Sequence, residues 1–211
     1  MNRSADNVPT IAASAVAGVR HLLIQENAWA EVRAELVRAH VDASSWIDSD
    51  LSIDPTKTQW VPAAHHAQMI EALHAVVGHT RTFELGRERA HRTAQAGAFA
   101  PVVRSFARSF GDTPSEFLKL TQHAWAAQTQ NLGEFVLAES RLGHTRFVLE
   151  SPSPLIAQNI GWKTFLAGYG TGLLDLVKRK GCCEIEVNGK GELEAIYDYD
   201  AEPAPYAARR T

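Results

Sequence analysis

Apolar side chains recur at helical spacing through the first half of the chain. Residues 11–25 and 28–40 predict two helices with an apolar face, separated near Glu26 and Asn27. Proline suits the first turn of a helix, and Pro62 precedes a third apolar stripe at the same spacing. The N-terminal half is therefore predicted to be a layer of helices.

The helical pattern continues in the middle of the chain. A basic helix over about 82–96 follows Gly78, and a further helix is expected to end near Leu132, before Gly133. Between them lies the clearest amphipathic stripe of the sequence, formed by Phe99, Val102, Val103, Phe106, Ala107 and Phe110. We expect that stripe to belong to the core.

Apolar and polar residues alternate at period two in the second half of the chain, which is the pattern of half-buried strands. The stretches 134–140 and 145–151 predict one β-hairpin, and 182–187 with 192–199 predict a second around an Asn-Gly turn. The predicted fold class is α+β. We expect a helical layer packed on an antiparallel sheet made of two hairpins, with a long C-terminal helix before the last hairpin.

Length and composition fit one ordinary globular domain. The chain has 211 residues, 45% hydrophobic and 21% charged, which allows a single sizeable core and is far from the composition of disordered segments. Residues 1–10 are expected to be a flexible N-terminus, 11–200 one α+β domain of ligand-binding type, and 201–211 a flexible tail. The net charge of -3 favours neither nucleic acid nor an anionic membrane as a partner.

The two cysteines, Cys182 and Cys183, are neighbours in the sequence. Adjacent cysteines cannot close an ordinary disulfide without strain, and on a strand their side chains face opposite sides, so they cannot hold a metal together. No apolar signal segment opens the chain, and no run reaches the roughly 20 apolar residues of a membrane helix. We therefore expect a cytoplasmic protein with buried, unreactive thiols.

Three glycines fall beside the apolar stripe of the long helix, at Gly161, Gly168 and Gly172. An interior glycine costs a helix about 1 kcal/mol relative to alanine, so a compensating contact is expected. Close approach of another helix, of the sheet or of a second subunit would supply it. A phosphate-binding loop is disfavoured, because its glycines would follow a strand and open a helix. We predict that these glycines form a packing or dimer interface.

Histidines and arginines are the other candidates for chemistry. His65, His66, His74 and His79 cluster on or just after one predicted helix. No carboxylate partner or metal-binding motif accompanies them, so no metal is predicted, and no motif of a nucleophilic enzyme predicts a catalytic residue. A basic band is predicted to be a solvated or partner-binding face, and it consists of Arg87, Arg89, Arg92, Arg104 and Arg108.

Longer stretches of the sequence resemble a known family. "ELGRERAHRTAQAG", "SFGDTPSEFLKLTQHAWAAQTQNLGEF" and "RFVLESPSPLIAQNIGWKTFLAGYGTGLLDLVKRKGCCEIEV", in this order, are similar to an uncharacterised paralogous family of bacterial proteins. That family looks related to four-vinyl-reductase-type ligand-binding domains and, through them, to haem-nitric-oxide sensor domains and TRAPP trafficking subunits. The resemblance covers about residues 15–200, with Trp125, Gly133 and Trp162 at familiar places. It implies an α+β domain, often dimeric, that is used for sensing or interaction.

Two departures from these relatives bear on cofactors. Zinc-carrying relatives place cysteines in and around the last hairpin, and here no third thiol follows Cys183. Haem-binding relatives use a proximal histidine within a tyrosine, serine and arginine constellation that has no counterpart in this sequence. The resemblance therefore implies neither zinc nor haem, and no cofactor is predicted.

The sequence supports a non-enzymatic sensory or regulatory domain that binds a small apolar ligand or a protein partner, as a homodimer. An apolar pocket is predicted between the helical layer and the sheet, lined by Phe106, His123, Trp125, Phe147, Trp162 and Tyr169. The same residues could instead fill the interior and leave no cavity. Two other functions stay open, a tetrapyrrole-handling accessory protein or small enzyme, and a scaffolding subunit of a larger assembly.

Overall fold

The computed structural model describes residues 8–41, 59–95 and 114–200, together with Pro101 and Ser105. The elements of these residues are, in chain order, β1 (Thr10–Ala12), α1 (Ala13–Gln25), α2 (Trp29–Arg38), β2 (Trp60–Pro62), α3 (Ala63–Gln95), α4 (Pro114–Gln128), β3 (Thr129–Gln130), β4 (Glu134–Arg141), β5 (His144–Glu150), α5 (Pro154–Ala157), α6 (Ile160–Leu176), β6 (Gly181–Val187) and β7 (Leu193–Tyr199). The predicted apolar stripe from Phe99 to Phe110, with Phe106, lies outside the described residues.

A small three-stranded sheet joins the start of the chain, the segment before α3 and the end of α4. Its strand order is β2-β1-β3, and Ile11 lies opposite Val61 on one side and opposite Thr129 on the other. The sequence predicted helix at Ile11 and Thr129, whereas α1 begins at Ala13 and α4 ends at Gln128. These strands have two or three residues each, which is too short for an alternating pattern to be recognised.

The two predicted hairpins are confirmed, and they join into one antiparallel sheet of order β4-β5-β7-β6. Phe147 of the first hairpin pairs with Ala195 of the second. Alternate residues of β5 and β7 are buried on one face of this sheet, namely Thr145, Phe147, Leu149, Leu193, Ala195, Tyr197 and Tyr199. The predicted α+β class is thereby confirmed, with the helices packed against that face.

Helix α3 is bent at the glycine that separates two helices in the sequence prediction. Gly78 has φ 75° and ψ 179°, a combination that is essentially restricted to glycine, so the helix runs over residues 63–77 and 79–95 with a kink between them. Its 33 residues are not apolar enough to span a membrane, and the same holds for every other helix in the described part of the chain.

Helix α6 contacts α3 at the level of the backbone. A Cβ on Gly168 would collide with the main chain of Phe83, and a Cβ on Gly172 would lie 2.6 Å from the Arg87 carbonyl oxygen. Gly161 lies against α3 in the same way. The three glycines predicted as a packing or dimer interface therefore lie on the face of α6 that meets α3 of the same chain, where the missing Cβ atoms allow the helices to approach.

The opposite side of α6 rests on the four-stranded sheet. A Cβ on Gly170 would lie 2.7 Å from the Cβ of Cys183, and the Cys183 amide donates a hydrogen bond of 2.9 Å to Thr171 Oγ1. The buried apolar residues fall into two clusters, one within the helical layer and one between α4, α6 and the sheet. Helix α6 separates the two clusters and contributes to both.

Candidate ligand-binding site

A row of aromatic rings runs from α4 along the inner face of the sheet. Trp125 contacts Phe135 with ring centroids 5.8 Å apart, and Phe135 stacks on Phe147 at 5.3 Å. Phe147 then meets Tyr197 edge-on at 5.9 Å. The Trp125 ring is held in place because its Nε1 donates a hydrogen bond of 3.0 Å to the Gly133 carbonyl oxygen. We refer to Trp125, Phe135, Phe147 and Tyr197 as the aromatic row; two of them, Trp125 and Phe147, are predicted pocket residues.

His123 lies away from the aromatic row. Gln122 Nε2 donates to the Phe135 carbonyl oxygen at 2.9 Å, so the side of α4 that carries Gln122 and Trp125 faces the sheet. His123 is exposed, one turn after Lys119, which forms an exposed ion pair with Glu116. The structure therefore does not bring His123 together with the other predicted pocket residues.

Trp162 belongs to the helical layer. Asn159 caps α6 by accepting a hydrogen bond of 2.8 Å from the Trp162 amide, and its Nδ2 donates to the Ala67 carbonyl oxygen of α3 at 3.1 Å. This double contact fixes the start of α6 against α3. It places the fully buried Trp162 ring beside His66, with centroids 4.8 Å apart in an edge contact.

His66 carries a ring nitrogen without a hydrogen-bond partner in the described structure. The residue is only 5% exposed, and its Nδ1 is buried and unpaired. Burial, followed by the positive charge of Arg89, lowers the pKa of His66 to about 3, so the imidazole is neutral near pH 7. An unpaired buried nitrogen costs a fold free energy, which makes this position a candidate for contact with a ligand.

Arg89 is a partly buried cation on the second half of α3. Its guanidinium lies against α1, where Cζ would be 2.5 Å and Nε 3.0 Å from a Cβ on Gly18. Burial lowers the pKa of Arg89; the neighbouring Tyr169 opposes this shift, and the positive charge of Arg92 adds to it. No ion pair of the described residues includes Arg89.

The basic band predicted as one solvated or partner-binding face is divided in the structure. Arg87 donates from Nε and Nη2 to Asp175 of α6, at 2.5 and 2.8 Å. Arg92 pairs with Glu26 at 2.8 Å and also with a carboxylate one turn earlier in α3. Arg89 lies against Gly18 of α1, while Arg104 and Arg108 lie outside the described residues.

The spacing of buried residues in α3 could have indicated that Arg89 lies on the inner side of the helix. Thr82, Leu85, Gly86 and Ala90 are buried at helical spacing. Arg89 lies two turns after Thr82 on the same stripe. An arginine at this spacing is expected to be partly buried, but the groups that it meets depend on how three helices pack.

Tyr169 of α6 is the remaining predicted pocket residue. It is partly buried and packs against the cluster between α6 and the sheet. We refer to His66, Arg89 and Tyr169 as the polar cluster. Tyr169 borders the aromatic row, because it packs against the cluster that contains Phe147 and Tyr197.

The other predicted histidines are dispersed. His79 Nδ1 lies 3.2 Å from Thr164 Oγ1, and its ring is 6.1 Å from that of His74, whose own Nδ1 is buried without a partner in the described structure. His65 is partly buried, which lowers its pKa. Nowhere in residues 8–41, 59–95 and 114–200 do three or more potential ligands gather in a way that could hold a metal ion.

The two thiols face opposite sides of β6. Cys183 is buried against α6, and Cys182 is exposed. Burial raises the pKa of Cys183 well above its ordinary value, so its thiolate is not populated near pH 7. Burial and the nearby Glu184 and Asp198 raise the pKa of Cys182 as well.

Comparison with solved structures identifies the fold. The crystal structure of the Fe(II) unliganded H-NOX protein from K. algicida matches with a TM-score of 0.61, over 92% of this chain and 99% of that chain, at 11% sequence identity. This chain has the H-NOX fold. An oxygen-binding H-NOX domain related to soluble guanylate cyclases matches with a TM-score of 0.55, over 95% of this chain and 100% of that chain, at 13% identity. No protein-family model and no curated protein sequence matches the chain.

At these identities the H-NOX likeness establishes the fold. The resemblance to haem-nitric-oxide sensor domains noted from the sequence is confirmed at that level. The relation to four-vinyl-reductase-type domains and to TRAPP subunits stays a prediction.

The H-NOX fold raises the question of haem, whose iron is held by an axial side chain such as histidine. His66 has a free ring nitrogen, but its ring rests on Trp162 where α3 and α6 touch, and Ile70, one turn later, meets Gly161 through its carbonyl oxygen. A macrocycle has no room between helices in backbone contact. His123 lies on the exposed side of α4. Neither histidine fits the axial role.

Proposed function

We propose that this protein is a non-enzymatic sensory domain that binds a small, mainly apolar ligand between the helical layer and the four-stranded sheet. The observation that carries the proposal is the H-NOX fold, which extends over nearly the whole chain. H-NOX structures include an oxygen complex of an oxygen-binding domain. The aromatic row and the polar cluster supply the apolar and polar surfaces that such a site needs.

The same residues support a ligand other than haem. The aromatic row offers ring faces and edges, which bind apolar groups, and neither His66 nor His123 is suited to hold iron. Cys183, as a buried thiol with a raised pKa, is not prepared to act as a nucleophile, which favours binding over catalysis.

Native mass spectrometry and a visible absorption spectrum of the purified protein test this proposal. We expect a bound small molecule in the mass spectrum, or capture of an apolar compound from a panel, without a strong visible band. A strong visible band with one tetrapyrrole per chain would establish the haem-handling alternative instead. Failure to retain or capture any small molecule would favour the scaffolding alternative.

A homodimer in the cytoplasm belongs to the same proposal. Gly161, Gly168 and Gly172 are engaged within the chain, so the dimer contact would use another surface. Light scattering on a size-exclusion column should give twice the mass of one chain. A monomer at all concentrations would leave ligand binding intact and refute the dimer.

A further inference from the structure

We propose that strand β6 is a docking edge for an extended segment of a partner protein in which lysine or arginine alternates with apolar residues. The segment would pair with the side of β6 that faces away from β7 and would add a fifth strand to the sheet. This inference goes beyond the proposed function, because it concerns a protein partner and not the ligand of the interior. It rests on the backbone of β6 and on the charge of its outer face.

The two edges of the four-stranded sheet differ in accessibility. At the edge strand β4, the register shifts between Leu137 and Glu139, and Gln122 of α4 donates a hydrogen bond of 2.9 Å to the Phe135 carbonyl oxygen. Bulges and covering groups protect an edge against further pairing. Strand β6 contains no proline and stays in continuous register with β7 over all seven of its residues. Of the two edges, β6 is therefore the one that can accept another strand.

The ladder between β6 and β7 shows which backbone groups of β6 face this edge. Residues of an antiparallel strand bond alternately to one side and to the other. Directly after β6, the Asn188 amide donates to the Glu192 carbonyl oxygen at 2.9 Å, so the even-numbered residues of β6 bond to β7. Ile185 and Val187 therefore direct their amides and carbonyl groups away from β7. No side chain of the described residues donates to these carbonyl groups or accepts from these amides.

The first half of the edge is closed by α6. The Cys183 amide also points away from β7, and it donates a hydrogen bond of 2.9 Å to Thr171 Oγ1. Cys183 and Thr171 are both buried, whereas Val187 is 48% exposed. A partner segment would therefore pair along the C-terminal part of β6. We refer to residues 184–187 as the open segment.

Two glutamates give the outer face of the open segment a negative charge. Glu184 and Glu186 are exposed, on the side of β6 opposite to α6, and neither carboxylate has an ion-pair or hydrogen-bond partner among the described residues. Glu186 lies directly opposite Glu194 of β7, and of these two only Glu194 is compensated, by Arg146 at 3.0 Å. Like charges opposite one another weaken a sheet. A lysine or arginine on a neighbouring strand would reverse this effect.

The alternation along β6 determines the pattern of the partner. Glu184 and Glu186 lie on the outer face, whereas Ile185 and Val187 lie on the face that α6 covers. A paired strand alternates in the same way, so its basic residues would lie beside the glutamates and its apolar residues beside Ile185 and Val187. Pairing with the open segment of a second copy would instead place glutamate beside glutamate. The charge of β6 therefore disfavours self-association and favours a basic segment.

Amide NMR spectra of the intact protein test the inference with a capped synthetic peptide of the same length as β6, in which lysine and valine alternate. Binding should slow hydrogen exchange of the Ile185 and Val187 amides, because strand pairing places them in hydrogen bonds. The amides of Glu184 and Glu186, which already bond to β7, should change little. The control is a peptide of the same composition with consecutive lysines, which should bind roughly fivefold more weakly.

Variants separate the charge from the backbone. Replacing both glutamates, by Glu184→Gln with Glu186→Gln, should weaken binding of the alternating peptide roughly fivefold and reduce its salt dependence. Glu71→Gln removes an exposed carboxylate of α3 and should leave the affinity unchanged. Val187→Pro removes one edge amide that does not bond to β7, and it should bind the peptide roughly fivefold more weakly than Val187→Ala, which keeps the amide. If Val187→Pro fails to fold, the exchange rates and the glutamate variants decide.

Three results would overturn the docking edge. Slow exchange of the Ile185 and Val187 amides without peptide would show that the chain or a second copy already covers this edge. Chemical-shift changes near the glutamates without protection of these two amides would show that the peptide docks on the outer face and does not pair. Absence of binding by the alternating peptide would also refute the inference. Ligand binding in the interior is tested separately by native mass spectrometry and is compatible with each of these results.

Discussion

At the scale of single residues, His66 places an unpaired ring nitrogen among the buried apolar side chains of the helical layer. The imidazole is neutral near pH 7, and its Nδ1 lacks a hydrogen-bond partner in the described structure. A buried nitrogen without a partner costs stability. The Nδ1 of His74, on the same helix, is likewise buried without a partner in the described structure.

The buried imidazole makes a testable contribution to acid sensitivity. His66 has a pKa of about 3 in the folded protein against an ordinary value of 6.5. Between these values the unfolded chain binds a proton that the folded chain does not, so the unfolding free energy rises with pH, by up to about 1.4 kcal/mol per pH unit. The contribution is complete above pH 6.5 and is lost as the pH falls towards 3.

His66→Leu should remove this contribution, so urea unfolding between about pH 4 and pH 6 should show a smaller pH dependence than in the wild type. Near pH 8 the imidazole is neutral in both states, so a comparison there reports packing alone. Identical pH dependence in the two proteins would mean that His66 titrates equally in the folded and unfolded states.

The two adjacent cysteines should differ in reactivity. Cys182 is exposed, whereas Cys183 is buried against Gly170 and its raised pKa keeps the thiol protonated. A maleimide should therefore modify one thiol per folded chain and two after denaturation in urea. Intact mass spectrometry with Cys182→Ser as a control, which should remain unlabelled when folded, distinguishes the two positions. Rapid double labelling of the folded protein would contradict the buried position.

At the scale of elements, the contact between α3 and α6 depends on missing side chains. Gly86 of α3 allows α6 to approach, since a Cβ there would meet the main chain of Phe165 and Tyr169. Gly168 and Gly172 allow the same from α6. The helix-propensity cost of about 1 kcal/mol per glycine is offset by contact between the two backbones.

Gly168→Ala should destabilise the fold, although alanine is the better helix former. Its Cβ would meet the backbone of Phe83, which cannot move without moving α3. Overpacking of this kind costs about 1–3 kcal/mol, which corresponds to a fall in melting temperature of about 2–4 °C per kcal/mol for a chain of this size. Gly189→Ala is the control, since a Cβ there has no atom within 4 Å. Equal melting temperatures for the two variants would show that α3 and α6 are less closely packed.

At the scale of the whole molecule, the sequence predicted what local patterns encode. Alternation in β4 to β7 and the Asn-Gly turn were sufficient for both hairpins, and Gly78 marked the bend of α3. The three-stranded sheet was not predicted, because β1, β2 and β3 are too short to carry a pattern and pair across much of the chain.

The polar cluster could not be predicted for a related reason. Whether an arginine is paired depends on partners far away in sequence, such as Asp175 for Arg87 and Glu26 for Arg92. Arg89 differs from these neighbours only in the direction that the helix gives it. The sequence of α3 predicts that direction. The groups that the Arg89 side chain contacts depend on how α1, α3 and α6 pack.

The position of α6 has a mechanical consequence. Gly168 lies against the backbone of α3, and Gly170 lies against the buried side chain of Cys183 in β6. Close-packed interiors transmit displacement because they compress little. A displacement of α3 by a fraction of an ångström should therefore be transmitted through α6 to the sheet. Strands β6 and β7 are expected to move with it.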